Sequence, residues 1–187
     1  MRIAVLASGS GTLLDAICAD GIDVALVVVD RDCLAVDVAK RYGVATLLVE
    51  RTTFGSDFDR PAYTRRVIEL LRQHDIGLVV MAGWLTILAP PMFEAFAGRV
   101  LNTHPALLPA FPGMHAARQA LEYGAKVTGC TIHVATAEVD HGPILAQEAV
   151  PIYPGDTEDV LGERIKKVER RLYPDVIRRL IEEERAS

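Results

Sequence analysis

The chain is short of the features that would place it in several large classes of protein. It has three cysteines in 187 residues, Cys18, Cys33 and Cys130, an odd number with no Cys-x-x-Cys pair, which speaks against a disulfide framework and a thiolate metal site. A reducing compartment, the cytoplasm, is expected. No run approaches the roughly 20 apolar residues that a membrane helix needs; the N-terminal apolar stretch Ile3 to Ala7 stops at Ser8-Gly9. There is no surplus of positive charge either. The formal net charge is −5, so no broad field attracts a polyanion, and a phosphate has to be held by a local site. Repeats, low-complexity tracts and linkers are absent. Small molecules are therefore the expected partners, with neither nucleic acid nor membrane among them. A homodimer is compatible with the sequence, although no exposed apolar stripe defines its surface.

What the chain has is an apolar half, 50% of residues, enough for one α/β domain over residues 1–187 and too little for two large ones. Short apolar runs alternate with helix-period segments. Ile3–Ala7, Val24–Val29, Ala45–Val49, Gly77–Met81 and Val100–Thr103 read as buried strands, and Thr12–Ala19, Ala35–Tyr42 and Pro61–His74 as helices between them. Runs that are apolar on both faces predict a doubly wound, mostly parallel, Rossmann-like sheet covered by helices on each side. The period then changes. Val127–Thr136 and Ile144–Ile152 alternate as an antiparallel pair joined by the Glu138–Pro143 turn, and Asp156–Glu184 reads as a terminal helix interrupted at Pro174.

Two motifs carry chemistry. Asn102 and His104 lie two apart at the end of a strand, so both face one side, and the carboxyl ends of strands are where open α/β sheets bind ligands. An amide can hold a carbonyl oxygen and an imidazole can move a proton. Asp140, in the hairpin turn, can fix the charge of the imidazole if the turn folds back to the same cleft. That trio suits acyl or formyl transfer. Each residue also has a plainer reading: a turn former, a surface histidine, a turn aspartate. His115 and His133 are ambiguous. His141 beside Asp140 lacks neighbours at metal-ligand spacing, so no catalytic metal is expected. The other motif, Ser8-Gly9-Ser10-Gly11-Thr12, sits between the first strand and first helix, where two glycines bring backbone N–H groups close to an anion. It lacks the lysine of a nucleotide-triphosphate loop and the third glycine of a dinucleotide fingerprint, so a phosphate monoester fits it best, against the alternative of an unliganded turn.

These residues resemble a known family. Ser8 to Thr12, Met81-Ala82-Gly83-Trp84, Asn102 to Pro109, Phe111 to His115, Gly129 to His133 and Asp140 to Ile144 are similar to the folate-dependent formyltransferases, and among them to the phosphoribosylglycinamide formyltransferases. The likeness runs over nearly the whole chain. The phosphate loop and the short chain set it apart from methionyl-tRNA formyltransferases, which add a C-terminal domain, and from formyltetrahydrofolate hydrolases, which usually add an N-terminal one; a short C-terminal segment of some relatives is not expected here.

The resemblance implies transfer of a formyl group from 10-formyltetrahydrofolate to the amine of glycinamide ribonucleotide, in purine synthesis and without a metal. His104 would be the general acid or base, Asn102 would hold the formyl oxygen, and Asp140 would raise the pKa of His104 and order water. Gly11, Thr12, Leu13, Lys166 and Glu169 would bind the ribonucleotide. Arg60, Leu85, Thr86, Ile87, Leu88, Asn102, Val139 and Asp140 would meet the folate. Leu13 stands where many members carry Asn, and Thr86 where many carry Arg. Two enzymatic alternatives are a formyltransferase for another amine and a formyltetrahydrofolate hydrolase. A third, of a different class, is a non-catalytic module that binds a phosphorylated ligand.

Overall fold

The computed structural model describes residues 1–186. They form two compact units, Met1–Leu101 and a second that begins at Asn102.

The first unit follows the expected alternation: β1 (Ile3–Ala7), α1 (Thr12–Ala19), β2 (Val24–Val29), α2 (Ala35–Arg41), β3 (Thr46–Leu48), α3 (Arg60–Gln73), β4 (Leu78–Met81), α4 (Pro91–Ala95) and the first residues of β5 (Val100–His104). The strands lie in the order β3-β2-β1-β4-β5 and every pair in the unit is parallel. All five residues of β1 are buried, which is why its sequence is a continuous apolar run. Leu6, Leu14, Ile17, Leu26, Leu71 and Met92 are fully buried and anchor this core, each contributing about 1.5–3 kcal/mol by leaving water. Helix α3 starts where its sequence says it should. The Asp59 carboxylate accepts from the Ala62 N–H at 2.8 Å, and Pro61 occupies the first turn. The strand expected over Ala45–Val49 is in register with β2 over Thr46–Leu48, with Ala45 and Val49 also hydrogen-bonded to it, at the outer edge of the sheet, and the five-residue α4 gave no periodic signal.

The second unit holds the last residues of β5, α5 (Ala116–Tyr123), β6 (Val127–Val134), β7 (Ile144–Pro151) and α6 (Glu158–Ala186). The expected hairpin is present: β6 and β7 pair antiparallel, Cys130 opposite Glu148, with an irregularity between Ile132 and His133. Two arginines of α6 blunt the backbone of β7. Arg164 donates to the Pro151 carbonyl at 2.7 Å and Arg179 to that of Leu145 at 3.1 Å, removing acceptors that another strand could use. Thr157 caps α6 by accepting from the Val160 N–H. The interruption expected at Pro174 does not occur, and α6 runs through it. Proline in a helix costs about 3 kcal/mol; here the buried side chains around it, Tyr173, Val176 and Ile177, offset that cost by holding the same helix face in the core. No helix among the described residues is long and apolar enough to cross a membrane.

The turn between β6 and β7 depends on one glycine. A Cβ on Gly142 would lie 1.6 Å from the Val134 carbonyl oxygen, a backbone atom that cannot move without opening the hairpin. Gly142→Ala is expected to cost about 3 kcal/mol or more, read as a lower urea midpoint at unchanged slope, and to displace Asp140 with the turn.

Candidate active site

The end of β5 points Asn102 and His104 to one side and Thr103 to the other, as strand alternation requires. His104 is 4% exposed. Its Nε2 lies 2.8 Å from the Phe111 carbonyl oxygen and its Nδ1 3.3 Å from Oδ2 of Asp140. A carbonyl only accepts, so Nε2 carries a hydrogen; a carboxylate also only accepts, so the ring satisfies both neighbours when Nδ1 carries one as well. The Asp140 side chain is 4% exposed, and its Oδ2 accepts from the Gly113 N–H at 2.8 Å. The β6–β7 turn thus folds back onto the Asn102/His104 strand end.

Backbone strain gathers at the same place. Phe111, His115 and Asp140 have φ of 54°, 60° and 61°, in the left-handed region that side chains other than glycine seldom adopt. Such positions persist when surrounding contacts over-determine them, and they concentrate at functional sites. Here one supplies the carbonyl that binds His104 and another the carboxylate.

His133, ambiguous in the sequence, belongs to this cluster. It is 1% exposed; Nδ1 donates to the Val134 carbonyl at 3.0 Å, and Nε2, 3.3 Å from Nδ2 of Asn102, is left to accept from that amide. His133 therefore fixes which way the Asn102 amide points. Burial lowers the pKa of His133 from its ordinary 6.5, against the opposing pull of the Val134 carbonyl and Asp140, while His104 lowers it further. The native state binds the neutral ring, so its stabilising contribution is complete above the ordinary value and declines as pH falls through the lowered one. His133→Gln is expected to flatten the loss of thermal stability between neutral and mildly acidic pH, measured as melting temperature against pH for both proteins.

A cavity of about 450 Å³ opens beside Pro105 and is lined by His115, Glu158, Glu163, Ile165, Lys166 and Glu169 among others. Lys166 and Glu169, both expected from the sequence, are brought together here. Lys166 pairs with Glu163 at 2.7 Å, but both are more than half exposed, so this pair is weak and easily exchanged for an anionic ligand. Burial pushes the Glu169 carboxyl up, and the hydrogen bond from Thr103 and the charges of Lys166 and Arg170 offset this only in part.

In the first unit, the glycine loop follows the carboxyl end of β1. Gly11 has φ 71°, and a Cβ there would sit 2.8 Å from the Ala35 Cα, so the position accepts only glycine. Thr12 is exposed with its hydroxyl 3.5 Å from that of Ser10. Leu13 is 5% exposed: its side chain belongs to the core, and only its backbone can face a ligand.

The segment after β4 is pinned from below. The Leu85 N–H donates to the Ser8 hydroxyl at 2.9 Å, and the Thr86 hydroxyl donates to the fully buried Asp30 at 2.6 Å. Burial would raise the pKa of Asp30, yet hydrogen bonds from Arg31, Thr86 and Ser8 outweigh it and hold the carboxyl lowered. With the backbone fixed this way, Leu85 and Ile87 stand outward, 62% and 50% exposed, while Thr86 and Leu88 turn inward, 1% and 5% exposed. The side chains of Thr86 and Leu88 serve the core, so what these two positions present outward is their backbone. Arg60, the first residue of α3, is exposed, as is Val139 of the β6–β7 turn. A cavity of about 640 Å³ between α3 and α4 is lined by charged side chains such as Arg65, Glu69 and Arg72, all exposed, and its volume alone does not make it a site. Among the described residues no group of three or more His, Cys, Asp or Glu side chains could hold a metal ion.

Known proteins are similar to this one along most of the chain. The family described as Formyl transferase matches residues 1–177. Phosphoribosylglycinamide formyltransferase of Mycobacterium tuberculosis is 46% identical over 176 residues, 91% of this chain and 80% of the relative. The trifunctional purine biosynthetic protein adenosine-3 of Gallus gallus is 37% identical over 181 residues, 93% of this chain and 18% of that longer protein. In the solved structure of glycinamide ribonucleotide transformylase 1 from Symbiobacterium toebii, 46% identical, the match covers 95% of this chain and 86% of that one with a TM-score of 0.88. An α/β sheet with an antiparallel C-terminal pair, a strand ending on Asn102 and His104, and likeness at this level over nine-tenths of the length lead to one assignment: the chain belongs to the formyl transferase family, among its phosphoribosylglycinamide formyltransferases.

Proposed function

We propose that the protein transfers a formyl group from 10-formyltetrahydrofolate to the amine of glycinamide ribonucleotide, a step of purine biosynthesis, and that His104, Asn102 and Asp140 carry the chemistry. The observation that supports this reading most is the setting of His104: a buried imidazole held between the Phe111 carbonyl and the Asp140 carboxylate, next to an amide whose orientation His133 fixes.

The folate, when bound, supplies an activated formyl carbon. The amine of the ribonucleotide attacks that carbon, a new C–N bond forms, and the bond to the carrier nitrogen breaks. Negative charge builds on the formyl oxygen between these events. The second N–H of the Asn102 amide is free to donate to it, because only one is committed to His133. The attacking amine must lose a proton and the leaving nitrogen must gain one; His104, charge-balanced by Asp140, can give and take that proton in turn. No covalent nucleophile is needed. Cys130 is unsuited to the task, being fully buried with its thiol pushed up to about 12, first by burial.

The substrate-binding assignments are part of the same proposal. Gly11 and Thr12, with the backbone of Leu13, would hold the phosphate through N–H groups and the Thr12 hydroxyl; Lys166 and Glu169 would meet the ribonucleotide from α6. The pinned, outward Leu85 and Ile87 suit the apolar faces of a folate, with Val139 and the exposed Arg60 as further contacts. Exposed apolar side chains on a backbone fixed by buried hydrogen bonds are what a preformed apolar surface requires. A cytoplasmic setting suits the three free cysteines, of which Cys18 is pushed up to about 11 by burial and by Asp15.

Purified protein with 10-formyltetrahydrofolate and glycinamide ribonucleotide, followed by the absorbance of the folate product, tests this reading. Product that forms only when the ribonucleotide is present supports it. Product formed equally without the ribonucleotide is hydrolysis and contradicts it.

A further inference from the structure

Thr103 lies between the two catalytic residues but faces away from them. Its hydroxyl donates to Oε1 of Glu169 at 2.9 Å, and on its other side lies the Sγ of Cys130 at 3.5 Å. A hydroxyl has one hydrogen. With that hydrogen given to the carboxylate, the lone pairs of the oxygen remain for the Cys130 S–H, and because the thiol stays protonated the chain runs in one direction, from Cys130 through Thr103 to Glu169. Such a chain polarises its members and fixes the rotamer at its end. Glu169 has no comparable partner on its own helix. Lys166, one turn away, is engaged with Glu163, and Arg170 also reaches Glu163 at 3.6 Å. Among the described residues Thr103 is the side chain that hydrogen-bonds Glu169.

We propose that Thr103 is a positioning residue: it fixes the Glu169 carboxylate at the wall of the 450 Å³ cavity, in register with Asn102 and His104 on the same strand. The inference rests on the formyl-transfer reading for its substrate, and it deepens it. A carboxylate held in one orientation selects a ligand that presents amine or hydroxyl donors, the kind of group an amino-substituted sugar phosphate carries. Because Thr103 is the middle residue of Asn102-Thr103-His104, one strand segment sets both the reacting groups and the carboxylate that orients the acceptor substrate.

Thr103→Val keeps the shape and removes the hydroxyl; Thr103→Ser restores a donor. The Val variant is expected to raise KM for the ribonucleotide about three- to tenfold, the loss of one hydrogen bond to a charged group shared with a positioning role. Its kcat and its KM for 10-formyltetrahydrofolate stay near wild type, and the Ser variant recovers most of the difference. The pH dependence gives a second readout. Without its donor the Glu169 carboxyl rises further, because burial remains and one opposing interaction is gone; Lys166 and Arg170 of α6, Cys130 of β6, and the cavity's His115, Glu158 and Glu163 are unchanged. The acid limb of kcat/KM for the ribonucleotide therefore moves to higher pH in the Val variant and returns in the Ser variant.

Titration of the Glu169 carboxyl by carbon-13 NMR needs no substrate and separates the two claims. An upward shift in Thr103→Val, reversed in Thr103→Ser, supports the positioning role even if wild type fails to transfer formyl, in which case it is the functional reading that falls. An unshifted carboxyl, an unchanged KM for the ribonucleotide, or equal rises in both KM values that serine does not reverse would overturn the proposal.

Discussion

His104→Ala lowers kcat by about 10²–10⁴-fold, the usual contribution of a positioned general acid or base, while both substrates bind with nearly wild-type affinity. Binding is spared because the imidazole is 4% exposed and its nitrogens are committed to Phe111 and Asp140, so it adds little contact area to a ground-state complex. Rate is lost because the proton that moves between amine attack and departure of the carrier nitrogen has no other group at that strand end to carry it. His133 does not substitute: burial lowers its pKa and its two nitrogens serve Val134 and Asn102. Stopped-flow measurement of a single turnover, with binding followed separately by calorimetry, divides the two effects. A fall in kcat/KM carried by KM alone would assign His104 to uniform binding and remove it from the chemistry.

Asp140→Asn isolates the charge. Oδ2 accepts from the Gly113 N–H and faces Nδ1 of His104, while Oδ1 lies 3.7 Å from Nε2 of His133. An asparagine with its oxygen in the Oδ2 place keeps the Gly113 bond and still faces Nδ1 of His104, while its amide nitrogen, in the Oδ1 place, meets a His133 Nε2 whose lone pair Asn102 already uses. The fold loses on the order of 1 kcal/mol, the lower end of the cost of one buried donor left without a partner, but the imidazolium loses its counter-charge. We expect a fall in kcat on the order of 10²-fold or more with a melting temperature within a few degrees of wild type. A variant that unfolds readily, or one that keeps full rate, would show Asp140 to be a structural turn residue.

The sheet was legible in the sequence because its strands are buried on both faces, and a continuous run such as Ile3–Ala7 leaves no other placement. The boundaries of α3 were legible for a different reason: Pro61 and the residues around it state the start chemically. Other features were not. The five-residue α4 spans too few turns for a period to show, the buried face of α5 is made of Ala116, Ala117 and Ala120 and so gives only a weak apolar pattern, and α6 continues through Pro174 because tertiary packing, invisible in a local pattern, outweighs the local cost. In the site, Asn102 and His104 could be paired from their spacing, and Asp140 once the hairpin was recognised. His133 could not, since one histidine in an alternating strand looks like any other until its nitrogens have partners. The same holds for Thr86, whose hydroxyl is spent on Asp30, the residue after β2 and 56 residues away in sequence.

The most direct test follows the carbon itself. With 10-formyltetrahydrofolate labelled with carbon-13 in the formyl group and an equimolar amount of glycinamide ribonucleotide, the products of the wild-type protein are separated and weighed by mass spectrometry. Direct attack by the amine predicts the label in the formylated ribonucleotide, with little free formate, and its near-disappearance in His104→Ala. Label recovered mainly as formate, or an undiminished yield from the variant, would contradict the account.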